Sequence, residues 1–108
     1  MIGAGRLRHR LFLQRAATAD DGSGGFTTAW VELAAFWGAI ETISGRETAW
    51  SDAVKAEATH RIVIRYRDDV GPAKRLRFYA RAFEIICAAD PDGRRRRLVC
   101  QCVERDLA

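Results

Sequence analysis

The segment that most constrains the fold is residues 59–67, Thr-His-Arg-Ile-Val-Ile-Arg-Tyr-Arg, because apolar and cationic side chains alternate along it. In an extended chain every second side chain points to the same face. One face then carries His60, Ile62, Ile64 and Tyr66, and the other carries Arg61, Val63, Arg65 and Arg67. Isoleucine, valine and tyrosine also favour a pleated strand. The segment predicts a half-buried strand in the middle of a sheet.

Similar strand patterns recur along the chain, separated by turn sequences. They occupy residues 8–15, 26–33, 36–43, 74–79, 81–87 and 98–104. Residues 18–25, rich in glycine and aspartate, indicate a mobile hairpin tip, and Asp90-Pro91-Asp92-Gly93 indicates a tight turn. The fold is therefore predicted to be mainly β, a small antiparallel barrel or sandwich of six to seven short strands in one domain over residues 1–108.

The predicted strands also define a core and one long connection. The core is predicted to contain Leu11, Leu13, Ile40, Ile62, Ile64, Phe83, Ile85 and Leu98, which share the apolar face of their strands. Residues 44–57 begin with the capping-box pattern of Ser44 and Glu47 and favour one short helix or a long loop. Residues 36–43 are apolar on both faces, which indicates burial on both sides or a covering partner subunit.

The net charge and the grouping of arginines limit the kinds of partner that the chain can bind. The chain of 108 residues has a net charge of +4, with arginines grouped near residues 6–10, along the central strand and in residues 94–97. These groups fit a nucleic-acid partner, and they equally fit solvated strand faces with ion-pair partners. The first residues lack the long apolar core of a signal peptide or a membrane span, so we expect no membrane partner and a protein made in the cytosol.

The residue types that carry catalysis or bind metals are sparse. Three cysteines fit free, buried thiols rather than a disulfide framework, and Cys100-Gln101-Cys102 lacks the paired knuckles of a zinc site. His9 and His60 each begin an apolar strand face, which favours a structural role over that of a general base. We therefore expect no enzyme activity, no metal and no cofactor.

Four segments in register resemble a known family. They are residues 5–15 (Gly-Arg-Leu-Arg-His-Arg-Leu-Phe-Leu-Gln-Arg), residues 37–47 (Trp-Gly-Ala-Ile-Glu, then Ser-Gly-Arg-Glu), residues 58–67, and Phe83-Glu84-Ile85 with residues 90–95. Together they resemble the phage head–tail joining family, also called head-tail adaptor, head completion or stopper proteins. The chain departs from the pattern at Tyr79-Ala80-Arg81, where the family often has a glycine-containing turn, and in its long run of arginines at residues 94–97.

The resemblance implies a structural role in the neck of a virion or phage-like particle, assembled in the bacterial cytoplasm. Such a protein forms a homo-oligomeric ring, a hexamer or a dodecamer, below a portal or adaptor ring and above a tail terminator or tail tube. The ring extends the channel for double-stranded DNA and helps to retain it. An infectious phage, a prophage and a gene transfer agent are all compatible settings. The alternative function is a free-standing nucleic-acid-binding small β-barrel.

Three groups of site residues follow for the ring subunit. The candidate channel gate comprises Arg46, Glu47, Trp50, Asp52 and Lys55, in the loop position that the family associates with channel closure. Candidate contacts with neighbouring rings are Arg6, Arg8, Arg10, Asp21 and Ser23, which are too cationic or too flexible to be explained by burial. The candidate subunit interface comprises Trp37, Arg61, Arg65 and Arg67.

Overall fold

The computed structural model describes residues 7–43 and 58–106, which form one closed antiparallel barrel. Its strands are β1 (His9–Asp20), β2 (Phe26–Thr42), β3 (His60–Arg65), β4 (Lys74–Phe78), β5 (Arg81–Ala89) and β6 (Arg97–Asp106). Around the barrel they follow the order β1-β2-β3-β6-β5-β4, and β4 pairs with β1 to close it. The predicted mainly β fold and its antiparallel barrel are confirmed.

The segment predicted as a helix or long loop, residues 44–57, lies outside the described residues. The residues that flank it are neighbours in the barrel, because the amide of Ile43 donates to the carbonyl of Thr59 at 3.0 Å and Thr42 pairs with His60. Residues 7–43 and 58–106 contain no helix long and apolar enough to cross a membrane.

Strand β2 corrects the prediction of two separate strands over residues 26–33 and 36–43, because it is one continuous strand from Phe26 to Thr42. Leu13 pairs with Ala34 and Gln14 pairs with Glu32, so that Leu33 is an extra residue in β2. Such a β-bulge reverses the alternation of inward and outward side chains. The reversal breaks the sequence pattern at the point where the strand itself continues.

The barrel interior holds the core predicted from alternation. Leu11, Leu13, Ile62, Ile64, Phe83, Ile85 and Leu98 are buried in it, and Ile40 packs against it partly buried. Leu76 of β4 and Val70 of the β3–β4 connection complete the cluster together with Cys100 and Cys102. Closure of the sheet thus places the apolar face of every strand in one interior.

The central strand β3 is more buried than its cationic face predicted. Val63, assigned to the arginine face, is only 4% exposed. Its neighbours across the sheet are Ala39 of β2 and Val99 of β6, which are also buried and form an apolar row on the outside of the barrel. The cationic face of β3 is therefore interrupted between Arg61 and Arg65.

The hairpin of β1 and β2 extends beyond the barrel as a two-stranded ribbon. Strand β4 pairs with β1 only over residues 12–15, and β3 pairs with β2 only over residues 38–42. Residues 16–30, which we call the arm, therefore have only each other as strand neighbours within the described chain. The molecule measures 50 × 28 × 24 Å along its principal axes.

The tip of the arm is residues 21–25, shorter than the predicted tip over residues 18–25. Gly22 and Gly24 have φ angles of 81° and 82°, which glycine adopts without a Cβ penalty. One carboxylate oxygen of Asp21 accepts the amides of Ser23 at 2.8 Å and Gly25 at 3.1 Å. Aspartate and glycine thus define the turn through local hydrogen bonds.

Candidate functional site

A pocket lined by arginine and aromatic side chains lies where β1, β2 and the end of β3 meet. It has a volume of about 320 Å³, and its lining residues are Arg10, Ala35, Phe36, Trp37, Arg65, Tyr66 and Arg67. Arg10 and Trp37 are direct neighbours across the β1–β2 pair, and β3 delivers Arg65 and the two residues that follow it. We call this site the arginine pocket.

Two of its guanidinium groups lie over aromatic rings. The Arg10 guanidinium carbon is 5.3 Å from the centre of the Trp37 ring, and that of Arg67 is 5.0 Å from the centre of the Phe36 ring. Trp37 remains 50% exposed. Stacking on an aromatic face orients a guanidinium plane, and in Arg10 it leaves the N–H groups able to bind a ligand.

The three arginines differ in how far their charge is neutralised. Arg67 donates two hydrogen bonds of 2.9 Å to Asp69, and these bonds hold the pKa of the Asp69 carboxyl below its usual value. Within residues 7–43 and 58–106, neither Arg10 nor Arg65 forms an ion pair. Arg65 lies beside another cation, because it pairs with Arg97 of β6. The pocket can therefore accept an anionic group such as a carboxylate or a phosphate.

The structure brings together most of the residues predicted for the subunit interface. Trp37, Arg65 and Arg67 all line the arginine pocket, whereas Arg61 lies apart and pairs with Glu41 of β2 at 3.5 Å. Arg10, predicted to contact a neighbouring ring, joins the pocket because of its pairing with Trp37. The interface assignment itself stays a prediction.

The remaining predicted site residues, those for ring contacts and for the channel gate, fall in three places. Asp21 and Ser23 are exposed at the tip of the arm, and Arg8 is exposed just before β1. Arg6 and the candidate gate residues Arg46, Glu47, Trp50, Asp52 and Lys55 lie outside the described residues. Contact with neighbouring rings and gating of the channel therefore stay predictions.

A second cationic surface is the connection between β5 and β6, residues 90–96. Asp90 accepts the amides of Gly93 and Arg95 at 3.1 and 2.7 Å, and Asp92 accepts the amide of Arg94 at 3.0 Å. The two carboxylates therefore serve the predicted turn. Arg94, Arg95 and Arg96 project from it with exposed side chains.

A polar cluster around His60 occupies one end of the barrel interior. Arg81 donates to both carboxylate oxygens of Glu104, at 2.9 and 3.1 Å, and lies 3.3 Å from Nε2 of His60. Burial lowers the pKa of His60, and the Arg81 charge lowers it further against the opposing effect of Glu104. A histidine kept neutral beside a paired arginine and glutamate is a structural group of the kind expected for His60.

The cysteines are buried and have no reactive environment. Burial raises the pKa of Cys100 to about 12 and that of Cys102 well above its usual value. All three thiols are free. The described residues contain no cluster of three side chains that could hold a metal ion. The arginine pocket is therefore the main candidate site for recognition.

Comparison with known proteins decides the family. The family model described as phage head completion protein matches residues 2–105. The chain belongs to the phage head completion protein family. This membership confirms the resemblance that the four segments indicated.

Two solved structures are similar to this head completion family member over nearly their whole length. The solution structure of protein SF1141 from Shigella flexneri 2a is 31% identical, with a TM-score of 0.68 over 99% of this chain and 98% of that chain. A chain in the virion of a native gene transfer agent particle is 25% identical, with a TM-score of 0.65 over 94% of this chain and 96% of that chain. No curated protein sequence matches the chain.

Proposed function

We propose that the protein is a non-enzymatic ring subunit of the head–tail connector of a phage or phage-like particle. In this role copies of the barrel form a ring below the portal or adaptor, extend the channel for double-stranded DNA, help to retain the DNA and provide the docking surface for the tail. The observation that carries the proposal is the similarity to a chain of a gene transfer agent virion, which spans 94% of this chain and 96% of that one.

The geometry of the described residues supports a role in assembly. The arm of residues 16–30 projects beyond the barrel, and Phe26, Leu33 and Trp37 are large apolar side chains left exposed along β2. A protein that remains a monomer seldom leaves such a projecting strand uncovered, because it invites association. A ring of copies between two other rings supplies several surfaces that can cover it.

A cationic surface supports a channel for DNA. Arg94, Arg95 and Arg96 in the β5–β6 connection have exposed side chains and form no ion pair among the described residues. Each makes a weak attraction for phosphate, and a ring multiplies that attraction by the number of its copies. The ring subunit should therefore hold DNA weakly as a single chain and strongly once assembled.

We further propose that residues 44–57 form the channel gate. The barrel itself does not need this segment to bring β2 and β3 together, because Ile43 and Thr59 are already joined by a backbone hydrogen bond. Replacement of residues 46–56 by a Gly-Ser linker removes Arg46, Glu47, Trp50, Asp52 and Lys55 together. The variant should fold, enter particles and fail to retain packaged DNA.

Two linkers distinguish the effect of the segment's length from that of its side chains. A linker of equal length keeps the length and removes the side chains, whereas a linker of about four residues removes both. DNA content of purified particles, measured against capsid protein, is the readout, and incorporation of the variant into particles is the control. Normal DNA retention by both variants would refute the gate, and a gel-filtration profile of unfolded aggregates would show that the segment belongs to the core.

The alternative function, a free-standing nucleic-acid-binding barrel, is favoured by one observation, the arrangement of arginines over aromatic rings in the arginine pocket. Fluorescence anisotropy of the isolated chain with duplex and single-stranded DNA separates the two functions. A free-standing binder holds DNA tightly as a monomer, with affinity that falls steeply as salt rises. A ring subunit binds weakly as a monomer, and electron microscopy of it with portal and tail proteins shows rings.

A further inference from the structure

The arm and the arginine pocket carry opposite charges. Between residues 16 and 31 the charged side chains are Asp20 and Asp21, both at the tip and neither accompanied by a lysine or arginine. One oxygen of each carboxylate caps the turn, since Asp20 accepts the amide of Gly22 at 2.9 Å and Asp21 accepts those of Ser23 and Gly25. The second oxygen of each accepts no hydrogen bond within the described chain. The tip thus presents two fixed carboxylates to solvent.

The pocket presents the complementary groups. Arg10 and Arg65 lack an acidic partner among the described residues, and Arg10 is already oriented by its contact with the Trp37 ring. A guanidinium group binds a carboxylate through two parallel N–H groups, which gives such a pair both strength and direction. A pair of carboxylates on a narrow turn therefore matches this pocket in charge and in the kind of hydrogen bond that each side can make.

The tip of a chain cannot occupy its own pocket. Phe26, beside the tip, and Trp37, in the pocket, belong to the same strand and are eleven residues apart. At about 3.3 Å per residue, the strand separates them by about 36 Å. The two complementary surfaces can meet only when they belong to different molecules.

The outer edge of β2 gives a second reason for a partner along the arm. From Phe26 to Trp37 no strand of the described chain pairs with this edge, and Glu32 is its only charged residue. Exposed edges in monomers are usually protected by charged residues, proline or short length. A two-stranded ribbon is also marginally stable by itself in water. Both features are explained when the arm lies along another molecule.

We propose that the arm of one copy lies on the next copy of the same chain and inserts Asp20 and Asp21 into the arginine pocket of that copy. The inference rests on the proposed ring function and names the contact that builds the ring. Two different surfaces of each copy meet, so the contact is head to tail and closes into a ring when its rotation permits. Asp21, Ser23 and Arg10 then act within one ring rather than between neighbouring rings.

Charge exchange between two variants tests the contact. D20K/D21N/S23K makes the tip cationic and keeps an acceptor oxygen at residue 21 for the turn, while R10E/R65E makes the pocket acidic. Each variant alone then opposes like charges, and an equimolar mixture restores attraction at every contact in an alternating assembly. Sedimentation velocity and native mass spectrometry should show each variant self-associating at least about tenfold more weakly than the wild type, and the mixture recovering the wild-type assemblies.

A disulfide trap gives a second measurement that does not depend on charge. Ser23 lies at the tip and Ala35 lines the pocket, so the double variant S23C/A35C should give a ladder of covalent multimers after oxidation, either in concentrated solution or in assembled particles. S23C alone and A35C alone are the matched controls and should stop at dimers. The native cysteines are buried and do not compete.

The outcomes separate this contact from the proposed function. If both charge variants form rings as readily as the wild type and S23C/A35C gives no ladder, the arm contact is overturned and the ring function still stands. A wild-type chain that remains monomeric even in particles with its connector partners would overturn both. Loss of DNA binding in R10E/R65E without any loss of self-association would assign the pocket to phosphate and also overturn the proposal.

Discussion

Gly38 of β2 is the residue at which the addition of one methyl group should have the clearest effect on stability. Its backbone is not in the left-handed region, so alanine can adopt its conformation. A Cβ placed there would lie 2.5 Å from Cδ1 of Leu11, 2.9 Å from Cγ2 of Ile64 and 3.1 Å from the carbonyl oxygen of Val63. The distance to Leu11 is about 1 Å shorter than an ordinary contact between carbon atoms.

The size of the effect follows from these contacts. Leu11 is fully buried and has little room to move, Ile64 is branched at Cβ and stiff, and the carbonyl belongs to a paired strand. Inserting a methylene into a well-packed core costs about 1 to 3 kcal/mol. We therefore expect G38A to lower the free energy of unfolding by that amount and to lower the Tm by about 4 to 8 °C for each kcal/mol.

Gly71 supplies the matched control, because a Cβ at that position has no atom within 4 Å and its φ lies outside the left-handed region. G71A should be neutral or should stabilise the protein by up to about 1 kcal/mol, by restricting the unfolded chain. Urea unfolding followed by tryptophan fluorescence and far-UV circular dichroism measures both variants. The steric reasoning is refuted if G38A is as stable as G71A.

A double-mutant cycle identifies the atom responsible. L11A removes Cδ1, and by itself it should cost about 2 to 5 kcal/mol because Leu11 is fully buried. In the L11A background, G38A should cost at least about 0.5 kcal/mol less than in the wild type. Strictly additive effects would show that the Leu11 contact is not the source of the penalty.

Two further predictions concern titratable groups in the barrel. In native protein a thiol reagent should label Cys87, Cys100 and Cys102 only as fast as the chain unfolds, because all three are buried and free. In denaturant it should label all three. Rapid labelling of one equivalent in the native state would contradict this. The lowered pKa of His60 means that the unfolded chain binds a proton near pH 6.5 while the folded chain does not, so stability should fall as pH decreases from about 7 towards 5. In urea titrations, H60Q should reduce the dependence of the free energy of unfolding on pH between about 7 and 5. The further loss of stability at lower pH, where Glu104 is protonated through its lowered pKa, should remain in the variant. An unchanged dependence between about pH 7 and 5 would assign it to another group.

The barrel could be predicted from sequence because most of its information is local. Alternation in residues 59–67 identified β3 and placed Ile62 and Ile64 in the core, as the structure confirms. The continuity of β2 could not be read in the same way, since one extra residue, Leu33, changes the parity of everything before it. The sequence shows a break in pattern, and only the pairing partner shows that the strand continues.

The arginine pocket shows the same limit for a candidate site. Trp37, Arg65 and Arg67 were selected from their own strands, but the partnership of Arg10 with Trp37 depends on the register between β1 and β2. Arg61 has the same sequence signature as Arg65 and lies apart because register sets it beside Glu41. Charge alternation identifies which face a residue occupies, whereas its electrostatic neighbours are set by strands distant in sequence.

The arm is a continuation of β1 and β2 with no flexible linker at its base, so it acts as a lever fixed to the barrel. From the bulge at Leu33 to Phe26 beside the tip the strand runs about 23 Å, so a tilt of the barrel by about 10° moves the tip by about 4 Å. The bulge at Leu33 lies at the base of this lever and sets its direction. In a closed ring of identical copies, a fixed direction from each barrel to the next determines how many copies complete the circle.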